Sequence, residues 1–271
     1  MTAFHVMSGA SGEFARPEVC KIGIPDIVDA LKLGLEDFKE KPSHYVFLCL
    51  MYPIAGVFLV MWSSGANLLP VIYPLMSGFA LIGPIAAIGL YEISRRREKG
   101  LDSSWRHALE VRHSPALPSI IAVAVMLLVL FVVWLIVAQS IYTATFDATG
   151  PVSLSTFLSD VLTTSQGLSL IIWGNLAGFV FAVVVLATTV VAFPLLLDRD
   201  VGAVAAVDAS IRATLANPVP VALWGLIVAA LLVVGTIPLF IGLAVVMPIL
   251  GHSTWHLYRK LIVSDYPSRT P

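Results

Sequence analysis

Every lysine and arginine of this chain falls in one alternating set of connections between its apolar runs. Six such runs are predicted, and all 16 basic residues lie in the N-terminal tail, the second and fourth connections, or the C-terminal tail. The stretches 63–67, 142–167 and 235–238 contain none. Because Lys and Arg are held on the cytoplasmic side during insertion, this alternation predicts an even number of spans with both termini cytoplasmic. The 58% hydrophobic and 12% charged residues compare with about 45–50% and about 25% in soluble domains. A water-soluble surface cannot be built from that inventory. The formal net charge of −1 gives no reason to expect a nucleic-acid partner, and the lipid bilayer is the partner the composition implies. No signal-peptide core is seen in the first twenty residues, so the first span is expected to target the chain. Cys20 and Cys49 are predicted to lie in the cytoplasmic tail and the first span, where no disulfide is expected.

A helix needs about 20 residues to cross a hydrocarbon core of ~30 Å. Spans are predicted over 45–62, 68–91 (interrupted by Pro70, Pro74 and Pro84), 117–141 and 168–193. The stretch 219–257 is too long for one crossing and must fold back. Gly235, Thr236, Ile237 and Pro238 supply the break, since glycine tolerates the turn and proline cannot continue the preceding ladder. This gives spans at 219–234 and 239–258. Continuous apolar runs exclude a barrel, so the fold class is all-α: a polytopic integral membrane protein of six transmembrane helices in three hairpins.

Each hairpin is preceded by a short amphipathic stretch that reads as an interfacial helix. Ile24, Ile27, Val28, Leu31, Leu35 and Phe38 form the first stripe, opposite Asp26, Asp29, Lys32, Glu36, Asp37 and Lys39. Leu101, Trp105, Ala108 and Leu109 form the second; Val204, Val207, Ile211 and Leu215 form the third, with Asp200 as its expected N-cap. The stripes are expected to dock on the bilayer or on the cytoplasmic ends of the spans. The organisation predicted is a tail over 1–23, a membrane domain over 24–261 with units at about 24–98, 99–197 and 198–261, and a tail over 262–271. Gly78, Pro84, Ile85, Tyr91 and Arg95 align without a gap to Gly242, Pro248, Ile249, Trp255 and Arg259. Internal duplication and a shared hairpin layout both account for that match. Between the third and fourth spans, Leu154, Phe157, Leu158, Val161 and Leu162 predict a short helix on the outer surface.

Three segments carry a family resemblance: Gly34-Leu35-Glu36-Asp37-Phe38; Gly83-Pro84-Ile85 leading to Tyr91-Glu92-Ile93-Ser94-Arg95-Arg96; and Phe193-Pro194-Leu195-Leu196-Leu197-Asp198 leading to Asp208-Ala209-Ser210. Over roughly 24–261 the chain resembles a family of uncharacterised bacterial integral membrane proteins, some of which carry a cytochrome c oxidase subunit label. The resemblance implies a six-span protein of the bacterial inner (plasma) membrane and brings no catalytic residues. An oxidase core needs several intramembrane histidines, and the interiors of spans one, three, four and five have none.

No phosphate-binding glycine loop, Gly-x-Ser-x-Gly elbow, His-Glu-x-x-His helix or Cys-x-x-Cys pair occurs. The ionisable residues nearest the spans are His44, Glu92, His252 and His256. The last two stand at i and i+4 on one helix face, and the repeat alignment places Glu92 level with His256. His252, His256 and Glu92 are therefore the candidate metal ligands; hydrogen-bonded interfacial side chains are the other reading. No cofactor is otherwise expected, a metal or haem being what this trio would hold. Gly174, Gly178 and Ala182 form a small-residue face for close helix packing, within the chain or between copies.

The reading with most support is a non-enzymatic membrane protein acting as an accessory or assembly partner of a larger membrane complex, a respiratory oxidase among them. The alternatives are a transporter or channel for a hydrophobic or small neutral substrate, using the proline-interrupted spans, and a metal- or haem-binding enzyme subunit. Substrate, partner and oligomeric state are not encoded in any motif here.

Overall fold

The computed structural model describes residues 16–40, 83–146 and 154–263, together with positions 6, 54, 57, 58, 74 and 75. Among them all regular structure is helical, with a single antiparallel bridge between Val19 and Ile262. The predicted first span, most of the second, His44, Cys49 and the connection 63–67 lie outside the described residues. Helix α1 covers Ile24–Glu40 and α2 covers Ile88–Glu98. A 3-10 helix follows at Trp105–His113, where the second amphipathic stripe had been expected as α-helix. Then come α3 (Leu117–Thr145), α4 (Leu154–Thr163), α5 (Ser165–Thr189), α6 (Ala192–Asp198), α7 (Ala203–Ala216), α8 (Pro218–Thr236) and α9 (Leu243–Leu261).

Three of these are long and apolar enough to cross a membrane: α3, α5 continued by α6, and α8. They match the predicted third, fourth and fifth spans. In α3 and α8 only 22% and 17% of the most apolar window is buried, so most of each helix turns its side chains outward. The break between α5 and α6 has a local cause. Pro194 has no N–H, and its ring conflicts with the carbonyl four residues back, at Val190, where α5 is capped. The displaced amide of Val191 donates to Ser210 Oγ on α7.

Helix α9 fills the sixth predicted stretch, but its second half is polar and its faces are largely covered: Trp255, Leu257 and Tyr258 are fully buried. The fold-back after α8 sits later than predicted. Gly235 and Thr236 remain helical, and the left-handed residues are Leu239 (φ 50°) and Phe240 (φ 66°), neither of them glycine. Left-handed backbone costs an L-residue roughly 1–2 kcal/mol. Leu239, 73% exposed, forgoes little contact if trimmed, and Leu239→Gly is expected to stabilise the protein by about 1 kcal/mol, read as a raised melting temperature in detergent.

The interfacial helices divide their faces in a way hydropathy did not foretell. On α1 the buried positions are Ile27, Ala30, Gly34 and Asp37, while Ile24, Val28 and Leu35 point outward. On α7 the buried positions include Ala205, Ala206, Ala209 and Ala213, while Val204, Ile211 and Leu215 point outward. Small residues let helix backbones approach closely, and branched side chains then cover the outer surface. The expected N-cap of α7, Asp200, is not the cap. That place is taken by Gly202 at φ 85°, a conformation glycine adopts without strain.

The segment before α1 is tied to the far end of the chain. Cys20 N donates to Leu261 O, Val263 N donates to Glu18 O, and Arg199 donates to Val263 O. Asn217, buried where α7 meets α8, accepts from Ile22 N and donates to Cys20 O. These bonds bring the start of α1 and the end of α9 to one end of the helices.

A candidate functional site where three helices meet

A tight contact between α1 and α9 sets the site. A Cβ on Gly34 of α1 would lie 2.0 Å from Ser253 Oγ and 2.5 Å from Ser253 N on α9, so only glycine allows these axes to approach. One turn further along α1, on the same face, stands Asp37. One residue before and three after Ser253 on α9 stand His252 and His256. Helix α2 closes the third side with Ser94 and Arg97.

Asp37 is the hub. Its Oδ2 accepts from Ser94 Oγ at 2.7 Å and from His256 Nε2 at 2.9 Å, and its Oδ1 accepts from Arg97 at 2.8 Å. The Nε of that guanidinium pairs with Glu40 at 2.9 Å. His252 Nδ1 lies 2.7 Å from Ser94 Oγ and 3.9 Å from Asp37 Oδ2. Ser94 has one hydroxyl proton and gives it to the carboxylate, so the short contact with His252 requires Nδ1 to be the donor. The order is then His252 N–H to Ser94 O–H to Asp37, with His256 and Arg97 donating to the same carboxylate. Burial acts to raise the Asp37 pKa. The hydrogen bond and charge of His256, the Ser94 hydroxyl and the charge of His252 outweigh it and hold the carboxyl below 3.8.

This order differs from that of an activated nucleophile, in which the imidazole accepts the hydroxyl proton. Here the imidazole nitrogen facing Ser94 already carries hydrogen, and Ser94 is 1% exposed. A cleft of about 310 Å3 reaches the edge of the cluster, bounded by Leu33, Glu36, Arg97, Glu98 and Arg259.

Of the three ligands proposed from sequence, His252 and His256 do share one face and turn toward one acid. Glu92 turns elsewhere: its oxygens accept from Arg95 Nε at 2.8 Å and Arg95 Nη2 at 2.9 Å. Among the described residues, no group of three His, Cys, Asp or Glu side chains is placed to hold a metal ion. Asp37, Ser94 and Arg97 were not singled out from the sequence. Asp37 read as one more charge on the polar face of a surface helix; the signal for it was Ala30-x-x-x-Gly34, a small-residue face that continues onto Asp37.

A second network runs beside the first. Tyr258 donates to Asp198 at 2.8 Å, and Arg259 reaches both Asp198 and Glu98. Trp255 Nε1 donates to Glu98 at 3.0 Å. Asp37, Ser94 and Asp198, which belong to the segments carrying the family resemblance, thus take part in joining α1, α2, α6 and α9. A known family model covers the α2 and α6 parts of this assembly.

Residues 72–198 match the family described as predicted integral membrane protein (DUF2189). That is the kind of family the sequence resembles: helical integral membrane proteins without a characterised activity. The matched stretch runs from the second predicted span to Asp198 at the end of α6, and so includes Glu92, Ser94 and Arg97 while Asp37, His252 and His256 lie outside it. No curated protein and no solved structure matches the chain.

Proposed function

We propose that this chain is a non-enzymatic membrane protein that works by contact, as an accessory or assembly partner of a larger membrane complex, a respiratory oxidase being one such host. The observation that supports this reading is the use made of Asp37. The groups with the chemistry to do more than scaffold are bonded to one another, and they hold α1, α2 and α9 as one block. The outward surface is apolar in contrast. Helix α5 presents Trp173, Leu176, Phe179 and Val180, and beside them a Cβ on Gly174 would meet open space. Large aromatic side chains next to a small residue suit a neighbouring helix in lipid.

In this reading the chain sits in a bacterial inner membrane with its basic end cytoplasmic and both termini there. Extraction of the tagged chain from its native membranes in mild detergent is expected to bring down a membrane-protein partner in near-stoichiometric amount. Trp173→Ala combined with Gly174→Leu should reduce that recovery at least tenfold while leaving the melting temperature of the purified chain within about 2 °C. A chain that purifies alone from native membranes and conducts a neutral solute in liposomes would replace this reading with transport.

A further inference from the structure

On the other side of α2 lies a larger cleft, about 620 Å3, between the 3-10 helix, the residues just before α3 and the end of α6. Five arginines and four carboxylates line it. Three of the acids are taken up by neighbours: Glu92 in the Arg95 fork, Glu110 between Arg96 and His107, and Asp198 between Tyr258 and Arg259. Those pairs also neutralise Arg95 and Arg96. Two cations of the 3-10 helix, Arg112 and His113, stand differently. Arg106, Arg112 and His113 are all exposed, and among the described residues Arg112 and His113 form no ion pair.

The position of the cleft bears on what would enter it. Ser114, Pro115 and Ala116, immediately before α3 begins at Leu117, line its side toward α3. Further along α3, Ile121, Val125 and Leu128 point outward. Inside, Val111, Leu196 and Leu197 supply an apolar wall. A recess with these cations thus opens beside the first residues of a helix long and apolar enough to cross a membrane.

We propose that this cleft binds a phosphate-bearing anion, held by Arg106, Arg112 and His113 beside the first residues of α3. Guanidinium groups match phosphate oxygens in forked geometry, and basic pockets between membrane helices recognise anionic headgroups. The phosphate is that of an anionic lipid or a free phosphate, and the test separates the two.

The full-length chain in neutral detergent would be titrated with phosphatidylglycerol, with phosphatidylcholine and with sodium phosphate, binding being read by native mass spectrometry and by thermal stabilisation. Phosphatidylglycerol is expected to bind at least tenfold more tightly than phosphatidylcholine. The exposed double variant Arg106→Gln/Arg112→Gln should weaken it by roughly twenty-fivefold, two basic residues at about a factor of five each. Lys32→Gln/Lys39→Gln, the same charge change on α1, should leave it unaltered. Competition by millimolar phosphate identifies the free anion as the ligand; its failure to compete identifies the lipid headgroup. Equal binding of the two lipids, or equal weakening by the two double variants, overturns the site and leaves only surface charge.

Discussion

Gly34→Ala is expected to lower stability by about 3 kcal/mol, the upper end of what overpacking a tight contact costs. The added methyl would meet not only the movable Ser253 hydroxyl but Ser253 N at 2.5 Å and Cα at 2.7 Å. A side chain can rotate away, whereas backbone atoms move only if α1 and α9 separate. Separation in turn pulls Asp37 off His256, so limited proteolysis near Lys39 should accelerate together with the fall in melting temperature. Gly174→Ala is the matched control, because its Cβ meets nothing within 4 Å. It should be neutral or stabilising by up to about 1 kcal/mol through helix propensity. Equal effects of the two substitutions would show that the α1–α9 contact is not tight.

Asp37→Ala is expected to cost about 3–5 kcal/mol, the usual consequence of removing one partner from a buried charged group. The loss leaves Ser94, which is 1% exposed, without its acceptor, takes from His256 the acceptor of its Nε2, and leaves Arg97 with Glu40 alone. Asp37→Asn, which keeps one acceptor oxygen, should cost less. The acid limb of the stability profile follows from the same residue. A carboxyl held below 3.8 in the folded chain contributes in full above that value. It loses the contribution as pH falls through the folded pKa, since the unfolded chain binds the proton first. Melting temperatures of the parent should therefore drop below about pH 4, and Asp37→Asn should flatten that limb. A parent profile unchanged down to pH 3 would rule out an ionised Asp37 as the hub.

Several features were legible because they depend on local composition. The apolar runs over 117–141, 168–193 and 219–234 each became a helix of spanning length, slightly longer at the ends. The short helix predicted around Leu154–Leu162 is α4. The spacing of His252 and His256 correctly placed both imidazoles on one face, because helical period alone decides that. The acid they would meet was not legible. The repeat alignment nominated Glu92, but a residue's level along a helix does not fix which way it points; rotation of α2 about its axis sets Ser94 and Arg97 toward Asp37 and leaves Glu92 in the Arg95 fork.

What the amino-acid sequence determined by itself is therefore the class of the protein: helices long and apolar enough to cross a membrane, with no basic residue inside them. Burial of backbone polar groups in lipid leaves only helices and closed barrels, continuous apolar runs exclude the barrel, and charge cannot be moved into a hydrocarbon layer cheaply. The pairing of helices was decided only by tertiary structure. Of the apolar stripe on α1, Ile27 is buried but Ile24, Val28 and Leu35 point outward, and it is Gly34 that meets α9, because contact between helices is governed by how closely backbones can approach. Once Gly34 and Ser253 touch, Asp37 is carried into a position where two histidines, a serine and an arginine from two other helices can reach it. No single-helix pattern contains that meeting point.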